Sequence, residues 1–382
     1  MSKGYALIFH HTDNDGYGAG KVCLNKCREE GYDDFSICTQ PVNLNGHQID
    51  DICAHIISIS ETKDIECVYI VDISMSHIED MDKIADACKQ ASIGNVIWVD
   101  HHKTSYEMVS TMCEHKENTL EGALLISDTA FKYYISTQYS AARLAWMLLF
   151  PDTPIPQVIE LISDHDIFAH ELEGSIEFFN GSGLYDLSDI RNTFWDLLIA
   201  DGPDWGDHID MVIETGETTM AYNYRVIFPM LMSTARYFSL DLDIPFGSTM
   251  RFENCIAVNT SYGNSAIFGG NGEGYKEYDI CFKYHQNGEG NWTYTMYSNK
   301  HDVSHIAKYL GGGGHPGAAG FTLPYNMFDP VRDQEKIYGL IAEHKRAVYC
   351  DPPNVDKAVL NIPVVDRTFD SLYPTQIFGM IN

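Results

Sequence analysis

Three apolar segments in the first hundred residues each run into acidic or histidine side chains, and this pattern limits the folds that the chain can adopt. Residues 5–9, 67–72 and 95–100 are typical of buried strands, and helical stretches at about 18–30 and 76–90 separate them. Strands that alternate with single helices indicate a mostly parallel sheet. We therefore predict an α/β fold for the N-terminal part of the chain.

Ligands of open parallel sheets bind outside the carboxyl ends of the strands. Burying an ionised carboxylate without a partner costs roughly several kcal/mol of folding free energy. A cation is therefore the natural partner of an acidic residue at the end of a buried strand. Carboxylates suit hard divalent cations, and imidazole adds a preference for manganese-like ions. The sequence therefore predicts a metal site from the polar residues at three strand ends, which are His11, Asp13, Asp15, Asp72, Asp100, His101 and His102.

Each piece of this pattern also has a simpler interpretation. The sequence Asp-Asn-Asp-Gly at 13–16 is common in turns and helix caps, and a lone histidine is more often structural than a ligand. Their joint occurrence at strand ends favours the metal site. Three adjacent polar groups cannot all face one ion, so we expect His101 to be a ligand, His102 to meet a substrate oxygen, and Asp100 to be a ligand or to orient a histidine.

The second half of the chain has a different pattern. It predicts a long connecting helix at about 206–240 and then a smaller α/β domain that contains a glycine-rich segment at 311–320. The predicted organisation is a catalytic domain at 1–200, a helical linker at 201–245, a substrate-binding domain at 246–325 and a C-terminal extension at 326–382.

The formal charge of −29, from 54 acidic and 25 basic residues, argues against a protein that grips long nucleic acid through a basic face. A nucleotide ligand is therefore expected to be short or bridged by metal. The 10 cysteines include no Cys-x-x-Cys pair, which favours reduced thiols. Without a long apolar run or a leader of the signal-peptide type, the sequence predicts a cytoplasmic protein with no membrane partner.

These motifs closely resemble those of the DHH phosphoesterase superfamily, which includes RecJ-type exonucleases, nanoRNases and cyclic-dinucleotide phosphodiesterases. The segment from His11 to Gly16 is similar to the first motif, Asp72 to the second and Asp100-His101-His102 to the third. The segment Gly311–Phe321 resembles the signature of the DHH-associated C-terminal domain.

The resemblance implies two divalent ions, commonly Mn²⁺ with Mg²⁺ as the alternative, that activate a water for in-line attack on phosphorus. It assigns His11, Asp13 and Asp72 to one ion, and Asp15, Asp72, His101 and a later aspartate to the other, so that Asp72 is the bridge. We choose Asp166 as the later aspartate, with Asp164 as the fallback. Asp128 precedes the helix that the family places before this aspartate, and we interpret it as a loop or cap residue.

The glycine-rich segment and the strand before it are the predicted substrate-binding elements. Glycines permit a close approach of the backbone to a ligand, although a helix C-cap after Leu310 is the simpler alternative. Tyr297-Ser298 stands where the family often has Arg-Ser, so that Tyr297 can stack on a base while Lys300 or His301 supplies the charge. The residues assigned to substrate binding are Gly312, Gly313, Gly314, His315, Tyr297 and Ser298.

The activity implied by the resemblance is hydrolysis of very short oligonucleotides to nucleoside monophosphates. The form of the segment 100–104 is most similar to the nanoRNase B-type branch. A cyclic or linear signalling dinucleotide and 3′-phosphoadenosine 5′-phosphate are the alternative substrates, and a non-catalytic nucleotide-binding protein is the alternative to an enzyme. Some relatives form homodimers, so a homodimer is also compatible with the resemblance.

Overall fold

The computed structural model describes residues 3–328, with gaps at 44–46, 76, 113–123, 128–130, 201–205, 245–247 and 269–276. The chain divides into two compact units between Met220 and Ala221. Asp128 and most of the predicted C-terminal extension lie outside the described residues. No helix within these ranges combines the length and the apolar character that are needed to cross a membrane.

The first unit is built on a six-stranded sheet, and all of its pairings are parallel except that between β5 and β6. The strand order is β2-β1-β3-β4-β6-β5. The predicted fold class, with a mostly parallel sheet, is confirmed. The strands are β1 (Tyr5–His11), β2 (Ile37–Val42), β3 (Ile65–Val71), β4 (Val96–Asp100), β5 (Leu124–Ser127) and β6 (Phe131–Ile135).

Helices cover both faces of this sheet, as the alternation of side chains along β1 shows. Ala6 and Ile8 belong to one hydrophobic cluster, whereas Leu7 and Phe9 belong to a second cluster on the opposite face. The helices of this unit are α1 (Asn14–Glu29), α2 (Gln48–Ser60), α3 (Ile78–Gln90), α4 (Lys103–Met112), α5 (Ala141–Leu149), α6 (Gln157–Asp166), α7 (Ser175–Ser182), α8 (Phe194–Ala200) and α9 (Asp207–Tyr222), the last of which crosses the division between the units.

The strand order reverses beside β1, and this reversal positions the site. From β1 the chain moves to β2 on one side, and it then returns to place β3 on the other side of β1. The helices that follow β1 and β3 therefore diverge, and a crevice opens outside the carboxyl ends of these two strands. His11 ends β1 and Asp72 follows β3, so both residues lie at this crevice.

The second unit has a six-stranded sheet in the order β11-β12-β10-β9-β8-β7. Helix α11 (Val303–Tyr309) packs on one face of this sheet, and residues of the short helix before β7 pack on the other, so the predicted α/β character is confirmed. A π-helical turn at Asn223–Ile227 and helix α10 (Phe228–Met232) precede the sheet. The strands are β7 (Arg236–Ile244), β8 (Ser248–Asn259), β9 (Ile280–Gln286), β10 (Trp292–Tyr297), β11 (Gly313–His315) and β12 (Ala318–Leu323).

The long helix predicted at 206–240 is wrong at its C-terminal end. Helical structure stops at Met232, and the Ser233 hydroxyl donates a hydrogen bond of 2.6 Å back to the Met230 carbonyl. The following sequence alternates apolar and polar residues, with Phe238 and Leu240 buried, which is the period of a strand. That alternation explains why residues 236–244 pair with β8 instead of extending the helix.

Candidate metal centre

The end of β1 supplies the first donors of the site. His11 Nδ1 lies 2.7 Å from Asp13 Oδ2 and 3.4 Å from Asp72 Oδ2. Asp13 is the N-cap of α1, and its Oδ1 accepts a hydrogen bond of 2.9 Å from Gly16 N–H. The cap therefore fixes one carboxylate oxygen of Asp13 and leaves the other beside His11.

Asp72 lies at the middle of the site. Its side chain is buried, with Oδ2 facing His11 and Oδ1 3.3 Å from His101 Nε2. Its φ of 57° places the backbone in the left-handed region, which few non-glycine residues adopt and in which aspartate is enriched. A hydrogen bond of 2.9 Å from Asp72 N–H to the Val99 carbonyl holds this conformation against β4. Backbone strain of this kind is concentrated at functional sites, and here it accompanies a carboxylate that lies between two histidines.

Asp15 is held by the N-terminus of another helix. Its two oxygens accept hydrogen bonds of 2.7 Å from Ala141 N–H and 2.9 Å from Ala142 N–H, in the first turn of α5. A helix N-terminus stabilises negative charge, so these contacts favour the ionised carboxylate. The sequence analysis missed this contact. Small residues on both helices permit it, because a Cβ on Gly18 of α1 would lie only 3.1 Å from the Ala142 Cβ.

His101 joins the remaining carboxylates. Its Nε2 lies 3.3 Å from Asp166 Oδ2 and 3.7 Å from Asp15 Oδ2. Asp164 faces elsewhere: its Oδ1 accepts a hydrogen bond of 2.8 Å from Glu171 N–H, and it belongs to none of the candidate donor groups among the described residues. The structure thus places Asp166, the preferred late aspartate, with the other predicted ligands.

Asp100 is paired with its neighbour His102. The Asp100 side chain is fully buried, and its Oδ1 lies 2.7 Å from His102 Nδ1. Burial by itself raises the pKa of Asp100, but the charge and the hydrogen bond of His102 outweigh burial and lower it. Asp100 belongs to no donor group in the described chain, so this geometry favours the orienting role over direct coordination.

The donor atoms fit divalent cations. Among the described residues they form three groups, each with its ligand atoms within 4.8 Å of one another: His11, Asp13 and Asp72; Asp15, His101 and Asp166; and Asp72, His101 and His102. Asp72 Oδ2 and Asp166 Oδ2 are buried and make no hydrogen bond to the described chain. His11 Nδ1 is also buried, with Asp13 Oδ2 at 2.7 Å. Burial, followed by the charges of Asp15 and Asp13, raises the pKa of Asp72 well above its usual range. Cations at these positions would relieve that repulsion.

The glycine-rich segment of the second unit is partly a strand and not an open loop. β11 pairs with β12, with Gly313 opposite Gly320 and His315 opposite Ala318. A Cβ on Gly312 would lie 2.0 Å from the Gly320 carbonyl oxygen, whereas a Cβ on Gly313 would meet nothing of the described chain within 4 Å. Gly314 has a φ of 140°. Residues 312–315 are all exposed, but close packing of the backbone explains Gly312 and Gly314, whereas it does not explain Gly313.

The strand before this segment also differs from expectation. The Ser298 hydroxyl donates to the Asp279 carbonyl at 2.7 Å and accepts from the N–H groups of Lys300 and His301, so that it organises its own turn. The Lys300 ammonium lies 3.2 Å from Asp279 Oδ1. Burial raises the pKa of Tyr297 to about 12, so that its half-buried phenol is neutral. Of the residues predicted to bind substrate on this strand and the following turn, Ser298 and Lys300 already have partners within the unit.

Comparisons with known proteins give distant relatives. No protein-family model matches the chain. The uncharacterized protein R106 of Acanthamoeba polyphaga mimivirus is 22% identical over 241 residues, which cover 61% of this chain and about half (50%) of that relative. RecJ from Thermus thermophilus in complex with Mn²⁺ is 12% identical to this chain. The match covers 92% of this chain and 53% of the RecJ chain, with a TM-score of 0.43. A pGpG-specific phosphodiesterase, PggH from Vibrio cholerae, is 13% identical to this chain. The match covers 89% of this chain and 99% of the PggH chain, with a TM-score of 0.39.

Proposed function

We propose that this chain is a metal-dependent phosphodiesterase that hydrolyses very short oligonucleotides to nucleoside monophosphates. The observation that carries the proposal is the position of Asp72, whose buried carboxylate lies between His11 and His101 at distances of 3.4 and 3.3 Å. Two groups of donors meet at this carboxylate, and a third meets at His101. A shared carboxylate between two sets of ligands is the arrangement that binds a pair of ions.

We assign the donor groups to two divalent ions, most simply Mn²⁺ because imidazole is present. His11, Asp13 and Asp72 would hold one ion; Asp15, Asp72, His101 and Asp166 would hold the other. When bound, such ions would polarise the substrate phosphate and lower the pKa of a water.

His102 is the residue that we assign to the substrate phosphate. Asp100 and His102 share a contact of 2.7 Å at Nδ1, and the carboxylate favours a proton on that nitrogen. Burial lowers the pKa of His102, but Asp100 outweighs burial and raises it. The imidazolium form is therefore favoured beside Asp100, and its positive charge suits a phosphate oxygen or a leaving oxygen that needs a proton.

A short substrate fits the charge of the chain. Affinity for long nucleic acid depends on many lysine and arginine contacts to phosphates, and the net charge here is −29. A di- or trinucleotide presents only a few phosphates, which bound cations and His102 can neutralise. The position of the substrate is thus set mainly by the metal centre and not by a basic surface.

The test is hydrolysis by the full chain with Mn²⁺. A 5′-phosphorylated dinucleotide should be converted to mononucleotides, and chelation or His101→Ala should abolish the reaction. His305→Ala is the matched control, because His305 in α11 is exposed and lies outside the donor groups. A five-residue RNA, a cyclic dinucleotide, a linear signalling dinucleotide and 3′-phosphoadenosine 5′-phosphate would be compared in the same assay. Hydrolysis that persists after chelation, or metal-dependent hydrolysis of none of these compounds, would contradict the proposal.

A further inference from the structure

An exposed aromatic side chain stands two residues after Asp166. Phe168 is 68% exposed. Its φ of 57° is in the left-handed region, at the position after the C-cap of α6 where glycine is the usual residue. A bulky residue is an outlier in this conformation, so the chain carries a phenylalanine here at a cost that glycine would avoid.

Asp164 fixes the turn that presents this ring. The Asp164 carbonyl accepts hydrogen bonds from Ala169 N–H at 3.0 Å and His170 N–H at 3.3 Å, and its carboxylate accepts from Glu171 N–H. Phe168 N–H donates to the His165 carbonyl at 3.1 Å. The turn after α6 is therefore closed by Asp164, a motif residue that the metal centre does not use.

Neighbouring rings hold the orientation of Phe168. His165 stacks on Phe179, with ring centroids 3.9 Å apart and planes at 19°. The Phe168 ring lies within 28° of parallel to His165, at 6.3 Å, and His170 lies 5.8 Å from Phe168. We call these four residues the aromatic turn. The closely stacked pair of His165 and Phe179 gives Phe168 an ordered surface at its side before any ligand binds.

Phe168 follows Asp166, which we assign as a metal ligand, by two residues. Their Cα atoms are therefore at most about 7.6 Å apart. This separation is short enough for a base attached to a phosphate at the metal centre to contact the ring. Phenylalanine offers a flat apolar face without hydrogen-bonding groups, and every nucleobase has a π-face, so such contacts tolerate any base.

We propose that Phe168 is the stacking platform for one base of the substrate, and that it makes recognition of that base independent of sequence. The inference rests on the proposed function, because the phosphate must lie at the metal centre. The inference names Phe168, in the first unit, as a residue that determines which substrates bind. The predicted consequence is a substrate class of short oligonucleotides that are selected for the presence of a base but not for its identity.

The experiment compares base-containing and abasic substrates with the full chain and Mn²⁺. For 5′-phosphorylated dinucleotides, Phe168→Ala should raise KM by about tenfold with little change in kcat, and Phe168→Trp should restore KM. For a dinucleotide that is abasic at the stacked position, either 5′ or 3′, Phe168→Ala should have no further effect. Phe35→Ala, at another exposed ring of the first unit, is the matched control and should leave KM unchanged.

Two results would contradict the proposed stacking role of Phe168. One is an unchanged KM for all base-containing substrates in Phe168→Ala. The other is an equal rise for intact dinucleotides and for both abasic dinucleotides, which would show that the substitution acts through Asp166. Failure of the proposed function is a separate outcome: the wild type would cleave no substrate. Binding of a 5′-phosphorylated dinucleotide, measured by calorimetry, would then decide the question, because stacking on Phe168 requires that Phe168→Ala weaken binding of the intact dinucleotide by about tenfold and leave binding of one abasic dinucleotide unchanged.

Discussion

Asp72 in the first unit and Asp279 in the second each lie directly beside the end of a strand, but their surroundings are opposite. Asp279 Oδ2 accepts hydrogen bonds from Glu253 N–H at 2.9 Å and Asn254 N–H at 3.1 Å, and Lys300 approaches its Oδ1. Asp72 is more deeply buried, and its Oδ2 has no hydrogen bond within the described chain. The Asp279 carboxylate is satisfied by its own chain, whereas Asp72 combines a buried, unsatisfied oxygen with two neighbouring histidines, and this combination indicates a ligand.

The pKa values of the two aspartates follow this contrast. Burial and the neighbouring carboxylates raise the pKa of Asp72. For Asp279, burial also raises the pKa, but the hydrogen bonds from Asn254, Lys300 and Glu253 outweigh it and produce a net lowering. Without bound cations, Asp72 therefore carries an electrostatic cost, and Asp279 does not.

The largest expected effect is on activity and separates Asp166 from Asp164. We expect Asp166→Asn to lower kcat/KM by about a thousandfold, because one ligand of the second ion loses its charge and the chemistry supplied by the ion is worth several kcal/mol. Asp164→Asn keeps an oxygen that can accept from Glu171 N–H, so its effect should stay within about tenfold, a typical loss for a supporting residue. Steady-state kinetics and metal content per chain measure both. Loss of one ion in Asp164→Asn but not in Asp166→Asn would reverse the assignment.

The next effect concerns the response of stability to metal. The folded-state pKa of Asp72 lies above its unfolded value, so this residue destabilises the fold increasingly as the pH rises from about 4 towards the folded pKa. At pH 8 in a chelator, Asp72→Asn should therefore raise the free energy of unfolding, by about 1 kcal/mol. At a Mn²⁺ concentration of about a hundred times Kd the wild type should gain about 2.7 kcal/mol, and the variant should lose most of this gain.

Urea unfolding with and without Mn²⁺ measures both parts of this expectation. The comparison fails if Asp72→Asn is less stable than the wild type in chelator and yet keeps the full response to metal. That pair of results would show that the Asp72 carboxylate supports the fold instead of a cation.

Gly312 and Gly313 make a matched pair in the second unit. Gly312→Ala should destabilise this unit by about 1–3 kcal/mol, because its Cβ would meet the Gly320 carbonyl oxygen at 2.0 Å. Gly313→Ala should be nearly neutral, because its Cβ points into open space in the described chain. Amide hydrogen exchange of β12 measures the difference. Equal destabilisation by both would contradict the packing, whereas a loss of activity in a stable Gly313→Ala would support a ligand contact there.

The sequence predicted those features that depend on local pattern. The apolar runs of β1, β3 and β4, and the polar residues at their ends, are visible in short windows, and parallel connectivity then brings them to one edge. The choice of Asp166 came from family resemblance. The hydrogen bonds from Ala141 and Ala142 to Asp15 were missed because they join residues 126 and 127 positions apart, and no local pattern records such a contact.

The second unit shows how local patterns mislead. Four glycines after Leu310 suggested an open loop, but glycine also serves where two strands pack too closely for a Cβ, as at Gly312. The helical prediction ran past Met232 because the strand period of residues 236–244 begins only four residues later. Ser298 was assigned to a ligand because of its position in a motif, but its hydroxyl donates to the Asp279 carbonyl, which is distant in sequence, and accepts from the N–H groups of Lys300 and His301. In each case the deciding partner lies on another strand or in a turn.

The smallest expected effect is the counterpart of Asp72→Asn in the second unit. Asp279→Asn should lower the free energy of unfolding at neutral pH by about 1 kcal/mol, because charge-assisted hydrogen bonds become weaker neutral ones. The folded-state pKa of Asp279 is lowered, so its contribution is present above the unfolded value of about 4 and is lost as the pH falls through the folded value. Urea unfolding of wild type and variant should therefore differ at pH 7 and converge below about pH 3, and Mn²⁺ should not change the difference. If the variant is instead more stable at pH 7, then Asp279 is strained as Asp72 is, and hydrogen bonding within the chain does not distinguish the two aspartates.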